Sequence, residues 1–422
     1  MREPLPQVTP YLRLGGREWH LPTALRALQH RNYRLYWFGQ LVSLTGTWMQ
    51  STAQQWLVYR LTGSPLKLGT VTFLASLPTM LFAPFAGVLV DRVDKRKFLV
   101  FTQSVMMVLA FILAGLTFTG LVQYWHVLVL ATLLGVVNTL DMPTRQAFTV
   151  EMVGKEDLMN AIALNSSIFN TARLFGPAVA GLVVAGLGET PAFTLNGLSF
   201  AAVIVGLLLM RLAPFTPRGG KPAPIADLKE GFAYIAGSGT VLSLMFVAAI
   251  PSIFGFPYTT LIPVMAGDVL GLGADGFGVL VSSIGLGALV AALSLAALGN
   301  YRRKGLLLTA ATFVFAGSVA AFALSRWLWL SMAALAFAGW GMVTHLATTN
   351  TLLQLQIPDG LRGRVMSTYL WGVVGLAPLG SLMFGTLAER WQAPRAILFG
   401  AGVCVVSAVV MLARFPEVRK LE

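Results

Sequence analysis

Along this chain, apolar runs of twenty residues or more alternate with short turns that are polar or basic. A helix that crosses a bilayer needs ~20 mostly apolar residues at ~1.5 Å rise each. On that measure the pattern predicts twelve spanning helices, over roughly 35–59, 67–90, 98–119, 125–149, 160–187, 191–212, 240–266, 275–298, 305–325, 327–354, 365–388 and 396–414. Connections are short except between the sixth and seventh runs. There, 213–239 is rich in Pro, Gly and charge, with one short amphipathic helix predicted over Ile225–Ile235. This linker divides the chain into two six-helix halves, 35–212 and 240–414, flanked by tails 1–34 and 415–422. Residues 1–22 read as a loosely attached tail, and Leu25–Arg34 as a basic, surface-lying lead-in to the first span. Residues 1–34 also lack the short apolar core of a signal peptide.

Composition places the chain in the membrane class. It is 56% hydrophobic and 11% charged, with a mean hydropathy of +0.73, whereas a soluble domain carries about a quarter charged residues. A net charge of +13 would raise the question of nucleic acid in a soluble protein. Here the basic residues sit at the ends of apolar runs, so topology and anionic lipid account for them and no nucleic acid is expected. With an even number of spans both termini share one side, and 24 of the 30 Lys and Arg residues fall there. The positive-inside rule makes that side cytoplasmic. Cys404 is the single cysteine, so no intrachain disulfide forms.

Charge inside the spans is rare, and therefore informative. A charge at mid-bilayer costs at least ~2.5–3.5 kcal/mol on insertion scales, so such residues face a bundle interior or a wet cavity. Asn138, Asp141 and Arg145 are spaced i, i+3 and i+7 and share a face of the fourth helix; Arg173 lies near the middle of the fifth. Asp141 is the leading carboxylate for proton coupling. The competing expectation is a permanent clamp with Arg173 or Arg145, because an opposite charge opposes protonation. His345 in the tenth span is a second coupling candidate, with Thr348 on its face and Asn350 below. Gln50 and Gln54 make the first span unusually polar. In the seventh, Phe254, Phe256, Tyr258 and Thr259 sit around the breaks at Pro251 and Pro257, which suits a bulky, partly apolar ligand, while an interfacial aromatic belt accounts equally well for Tyr258. Gly176, Pro177 and Gly181 allow close helix approach and a bend.

The halves echo one another. Lys95–Arg96–Lys97 after the second span recurs as Arg302–Arg303–Lys304 after the eighth, and Thr144–Leu158 is matched by Thr348–Arg362 about 204 residues later. Weak repeats of this kind mark secondary transporters, whose substrate site lies between the repeats near mid-membrane. No metal cluster, nucleophile–base pair or nucleotide fingerprint occurs at useful spacing; Gly271-x-Gly273-x-x-Gly276 falls on a loop with no preceding strand.

The run Gly87-Val-Leu-Val-Asp91-Arg92-Val-Asp94-Lys-Arg96-Lys97 resembles the signature loop of the major facilitator superfamily, with Asp94 where the family usually has Gly. Arg173-Leu-Phe-Gly176-Pro177-Ala-Val-Ala-Gly181 resembles the fifth-helix motif of family exporters. Asp141-Met-Pro143-Thr-Arg145-Gln-Ala147, with Glu151 and Asn160-Ala161 following, is similar to the branch that contains the enterobactin exporter and macrolide efflux proteins. The resemblance implies an all-α integral membrane protein, twelve helices in two six-helix bundles related by a pseudo-two-fold axis. It implies that Gly87, Asp91, Arg92 and Arg96 form a gating loop, and that Gln50, Gln54, Asn138 and His345 face a central cavity.

Together these readings predict a monomeric, multi-pass transporter of a prokaryotic inner membrane, not an enzyme. It is expected to use protons and no cofactor or metal, and to export a siderophore- or drug-like organic molecule by alternating access amid membrane lipid. The rival readings are an importer or lipid flippase of the same fold and, from another class, a membrane-embedded transferase or a non-transporting sensor.

Overall fold

The apolar runs fold as helices because only helices and closed barrels satisfy every backbone polar group inside hydrocarbon. The computed structural model of the 422-residue chain describes residues 11–14, 17–20, 22–90, 92–212, 224–299 and 301–414. Asp91, most of the central linker and the 415–422 tail lie outside the described residues. The first half comprises α1 (Arg31–Thr62), α2 (Pro65–Val90), α3 (Lys95–Phe118), α4 (Tyr124–Val153), α5 (Leu158–Leu187) and α6 (Thr190–Leu208). After the short α7 (Pro224–Gly237), the second half comprises α8 (Gly239–Val269), α9 (Ala274–Leu298), α10 (Lys304–Leu324), α11 (Leu328–Gln356), α12 (Arg362–Trp391) and α13 (Ala393–Arg414).

Eleven of these helices, among the described residues, are long and apolar enough to cross a membrane by length and composition. The exception is α1, at 32 residues as long as any of them. Gln40, Gln50, Gln54 and Gln55 dilute its apolar content. Large apolar side chains face outward on several helices, with Phe101 61%, Leu182 69% and Val406 62% exposed, as a lipid-facing surface requires. Trp327, Trp329 and Trp125 are exposed near helix ends at one face, the placement of an interfacial aromatic belt.

Prolines set the irregular stretches. The seventh span is α-helical to Ile250, then passes through a wide π turn (Pro251–Gly255) and a tight 3-10 turn (Phe256–Leu261). Pro251, Pro257 and Pro263 each remove an N–H from the ladder, so regular winding cannot persist. In α12 the π turn Trp371–Gly375 precedes Pro378 in the same way. At the turn between α1 and α2, Gly63 adopts φ 58°, a left-handed cap whose N–H bonds back to Tyr59, and Pro65 opens the next helix. Asp94, the residue unlike the signature motif, caps α3 by accepting from the Lys97 N–H at 3.1 Å.

The repeat visible in the sequence recurs in the packing. A Cβ built on Gly135 of α4 would collide with the backbone of Ala75 on α2. Gly339 of α11, 204 residues later, meets the backbone of Ile284 on α9 in the same manner. Only a residue without a side chain permits either crossing.

Two N-terminal findings differ from expectation. Within the expected loose tail, Tyr11–Leu14 and Arg17–His20 pair as an antiparallel hairpin, Tyr11 opposite His20. The Pro and Gly content of the tail masked the period-2 alternation. The lead-in is also fastened rather than merely surface-lying: a 3-10 turn (Thr23–Gln29) docks on the start of α5. Asn160 accepts from the Ala27 N–H at 2.7 Å, and the Asp157 carboxylate receives Arg26 at 2.8 Å and His30 at 2.7 Å. The predicted linker helix forms as α7 and lies against α12, where Glu230 pairs with Arg364 at 2.6 Å.

Gly135→Ala and Gly339→Ala are each expected to destabilise the protein by about 1–3 kcal/mol, the range for overpacking a tight contact. Thermal unfolding in detergent micelles measures it, with Gly115→Ala, which has open space, as the neutral control.

Candidate functional site

The two halves meet along α2–α12 and α5–α9, and the contacts crowd toward the face opposite the chain termini. There Tyr59 donates its hydroxyl to Asp268 at 2.5 Å, while Glu389 accepts from the Ser64 hydroxyl at 2.9 Å and the Leu66 N–H at 3.2 Å. Trp56 stacks on Phe277 with centroids 5.7 Å apart. Gly181 and Gly278 bring α5 and α9 into backbone contact, as Gly69 and Gly385 do for α2 and α12. Among hydrogen bonds between described residues, the cross-half one nearest the terminal face runs from Trp371 Nε1 to the Met80 carbonyl, 3.0 Å. Met80 lies ten residues from the end of α2 at Val90, or about 15 Å of helix. Among the described residues, the hydrogen bonds across the seam thus gather toward one face.

Beneath the fastened end lies a cavity of about 390 Å³ between the halves. Thr72, Ser76 and Thr79 of α2 line it on one side; Phe256 of α8, Met342 and Leu346 of α11 and Pro378 and Ser381 of α12 line the other. A smaller cavity of about 200 Å³ between α1 and α2 shares Thr72 and Ser76 and is lined by Ser51, Gln54 and Gln55. The site is therefore apolar and aromatic on the side of the second half, hydroxyl- and amide-bearing on the other. That mixture suits an amphipathic organic ligand.

The intramembrane charges are disposed differently from one another. Asp141 is buried and held by Arg145 on its own helix, by the Thr102 hydroxyl at 2.6 Å and by the Gln103 amide at 2.9 Å. Arg145 reaches on to Gln40 of α1, so one polar network ties α1, α3 and α4 together inside the first half. Of the two clamps expected from the sequence, the one with Arg145 is found. Arg173 is elsewhere, its guanidinium 5.9 Å from the ring centroid of Trp48 on α1.

Other expected site residues separate as well. Gln54 lines a cavity, but Gln50 is buried and accepts from Asn196 of α6 at 2.7 Å, a packing bond. Asn138 is exposed, and the cross-helix contact at that level belongs to its neighbour Thr139, bonded to Thr79 at 2.9 Å. Phe254 does not line the described cavities; it packs edge-on against Phe399 of α13, because the turn after Pro251 rotates it away and presents Phe256 instead. His345 is buried within the second half, its Nδ1 2.9 Å from the Thr312 hydroxyl. That hydroxyl donates to the Leu308 carbonyl, so it accepts from His345 Nδ1–H, and Nε2 is left bare and unpartnered. Thr348 is buried beside it, and Asn350 accepts from Gln354 at 2.6 Å; neither lines a described cavity.

In the signature loop, Gly87 and Arg92 are exposed, while Arg96 donates to the Leu207 and Leu208 carbonyls at the end of α6, both at 2.7 Å. Gly176 packs on Trp48, and Pro177 and Gly181 pack on Gly278. Sequence reading missed the Asp268 and Glu389 fastening. Their signal was present: both are acids at helix ends on the side where only five Lys and Arg residues fall.

Fold and seam together define a multi-pass membrane transporter of the major facilitator plan. The chain matches solved structures of that fold, among them a nucleoside transporter, NupG, with a TM-score of 0.70 at 12% identity, covering 91% of this chain and 99% of that one. Residues 22–422 match the family described as transmembrane secretion effector, and the chain belongs to that family. It is similar to the staphyloferrin A transporter of Staphylococcus aureus (25% identical, 82% of this chain and 86% of that protein). It is also similar to macrolide efflux protein A of Streptococcus pyogenes (24%, 93% and 99%) and to the enterobactin exporter EntS of Shigella boydii (25%, 91% and 92%).

Asp141→Asn and Arg145→Gln are each expected to destabilise the protein by about 3–5 kcal/mol, since either leaves a buried polar partner uncompensated. The double variant is expected to lose less than the sum. A double-mutant cycle by chemical denaturation in micelles checks it.

Proposed function

We propose that this protein exports a siderophore- or drug-like organic molecule across the cytoplasmic membrane by alternating access, in exchange for protons. The observation that carries the reading is the cavity of mixed polarity between two halves whose hydrogen bonds, among the described residues, gather toward one face. The excess of Lys and Arg at the terminal face supports cytoplasmic termini. On that orientation the described state opens inward, with the outer face sealed by Tyr59–Asp268 and the Glu389 bonds. The names of the related macrolide efflux protein and enterobactin exporter support the direction.

Substrate enters from the cytoplasm or inner leaflet and binds beneath the sealed face. The outer bonds then release and the halves rock to open outward. The Asp141–Arg145 network lies wholly within the first half, so it moves as part of a rigid body and keeps α1, α3 and α4 together. For proton coupling the candidates are Asp141, held by Arg145 within the first half, and His345, buried in the second half with no opposite charge beside it. The signature loop stiffens the base of the first half through Arg96 and α6, and Arg92 stands exposed at its rim, able to meet an acid of the other half when the inner face closes. The chain works in transport and no catalysis is assigned to it; we take it to act as a monomer.

A panel of radiolabelled macrolides and iron chelators tests this. Cells lacking the protein are expected to retain more of at least one compound, and everted vesicles carrying it to accumulate that compound until a protonophore is added. Greater uptake by intact cells carrying the protein, with none in everted vesicles, would contradict export.

A further inference from the structure

Arg173 is half-buried in the middle of α5 with no acidic partner among the described residues, in contrast to Arg145. Asp141, the acid inside α4, is engaged by Arg145. Trp48 covers one face of the guanidinium. Across the seam, Tyr258 of α8 lies within electrostatic reach of Arg173, is fully buried, and has a hydroxyl without a hydrogen-bond partner. Ser282 of α9 is also buried with an unpartnered Oγ. It shares a helix face with Gly278 and Gly285 (i−4 and i+3), whose Cβ positions abut Pro177 and the backbone of Arg173 and Leu174. Ser282 therefore faces α5 at the level of Arg173.

A cation without an anion and two buried hydroxyls without acceptors share one deficiency, an acceptor that carries negative charge. Water would satisfy the hydroxyls and leave the charge. A guanidinium presents a planar fork that matches an oxyanion bidentately. A monoanion neutralises it, whereas a dianionic phosphate would leave charge behind in hydrocarbon. Arg173 is the sixteenth of the 30 residues of α5, a depth that favours a small molecule over a lipid headgroup. Phe256, two residues before Tyr258, lines the cavity between the halves.

We propose that Arg173, Tyr258 and Ser282 bind the carboxylate of an organic anion, whose apolar body fills the adjacent cavity. The assignment deepens the export reading and rests on it. Because α5 comes from the first half and α8 and α9 from the second, the carboxylate bridges the seam, and its binding favours the arrangement that brings the three residues together.

The test uses the full chain in phosphatidylcholine nanodiscs, with 2-naphthoate and the isosteric neutral 2-naphthamide as radiolabelled probes in equilibrium binding. Naphthoate is expected to bind more tightly than the amide. Arg173→Gln should weaken naphthoate at least about tenfold, and Tyr258→Phe or Ser282→Ala about threefold, with amide binding unchanged. Arg173→Lys should fall between, having charge but no fork. If Arg173→Gln does not fold by size-exclusion and thermal unfolding, the two hydroxyl variants carry the test. Equal binding of acid and amide, unchanged naphthoate affinity in the variants, or displacement of naphthoate by phosphatidylglycerol would overturn the proposal. Binding is read without a gradient, so its failure leaves export standing, and a failed export assay leaves the binding result intact.

Discussion

Hydrocarbon offers no partner to a charge, and that constraint orders the polar chemistry of this molecule. Asp141 and Arg145 satisfy it internally, with Thr102, Gln103 and Gln40 taking up the remaining hydrogen-bonding capacity. The result is a network that ties three helices of one half without touching the other. Arg173 meets the constraint differently: Trp48 shields it on one side, and no acid among the described residues pairs with it. One set of charges holds a body rigid; the other stands where the bodies part.

Between the halves the joints have a chemistry suited to opening. The face opposite the termini is held by carboxylates that accept from neutral donors, a tyrosine hydroxyl, a serine hydroxyl and a backbone N–H. Breaking such a bond at an exposed rim leaves groups that water can solvate at once, so each contributes only about 1 kcal/mol net. The glycine pairs beneath them give close approach without interlocking side chains, which lets α5 slide on α9 and α2 on α12. By contrast, the crossings at Gly135 and Gly339 lie within each half, where backbone meets backbone.

Much of this was legible in the residues. Apolar run lengths marked out the eleven described helices that are long and apolar enough to cross a membrane, Pro251 and Pro257 marked the broken seventh run, and the 204-residue repeat reappears as the Gly135 and Gly339 crossings. The rest depended on rotation and partners, which periodicity does not carry. The partner of Asp141 was ambiguous because Arg145 lies four residues away on one helix and Arg173 sits at a comparable depth on another. Phe254 and Phe256 exchange roles because a π turn adds a fraction of a residue per turn and shifts the face. Gln50 bonds to Asn196, a pairing between distant helices that no local pattern announces. The N-terminal hairpin was hidden by Pro and Gly, which register as disorder before eight alternating residues can register as strands.

The account stands on two bodies rocking in opposite senses at the two faces. Pulsed electron resonance on a Cys404→Ser background measures this directly, with one spin-label pair at Lys97 and Gly363 on the terminal face and another at Leu121 and Trp327 on the opposite face. Two populations are predicted, one long at the terminal face and short at the other, the second reversed, so that the distances change in opposite directions as conditions shift the balance. A single fixed distance at each face, or distances that lengthen together, would contradict it.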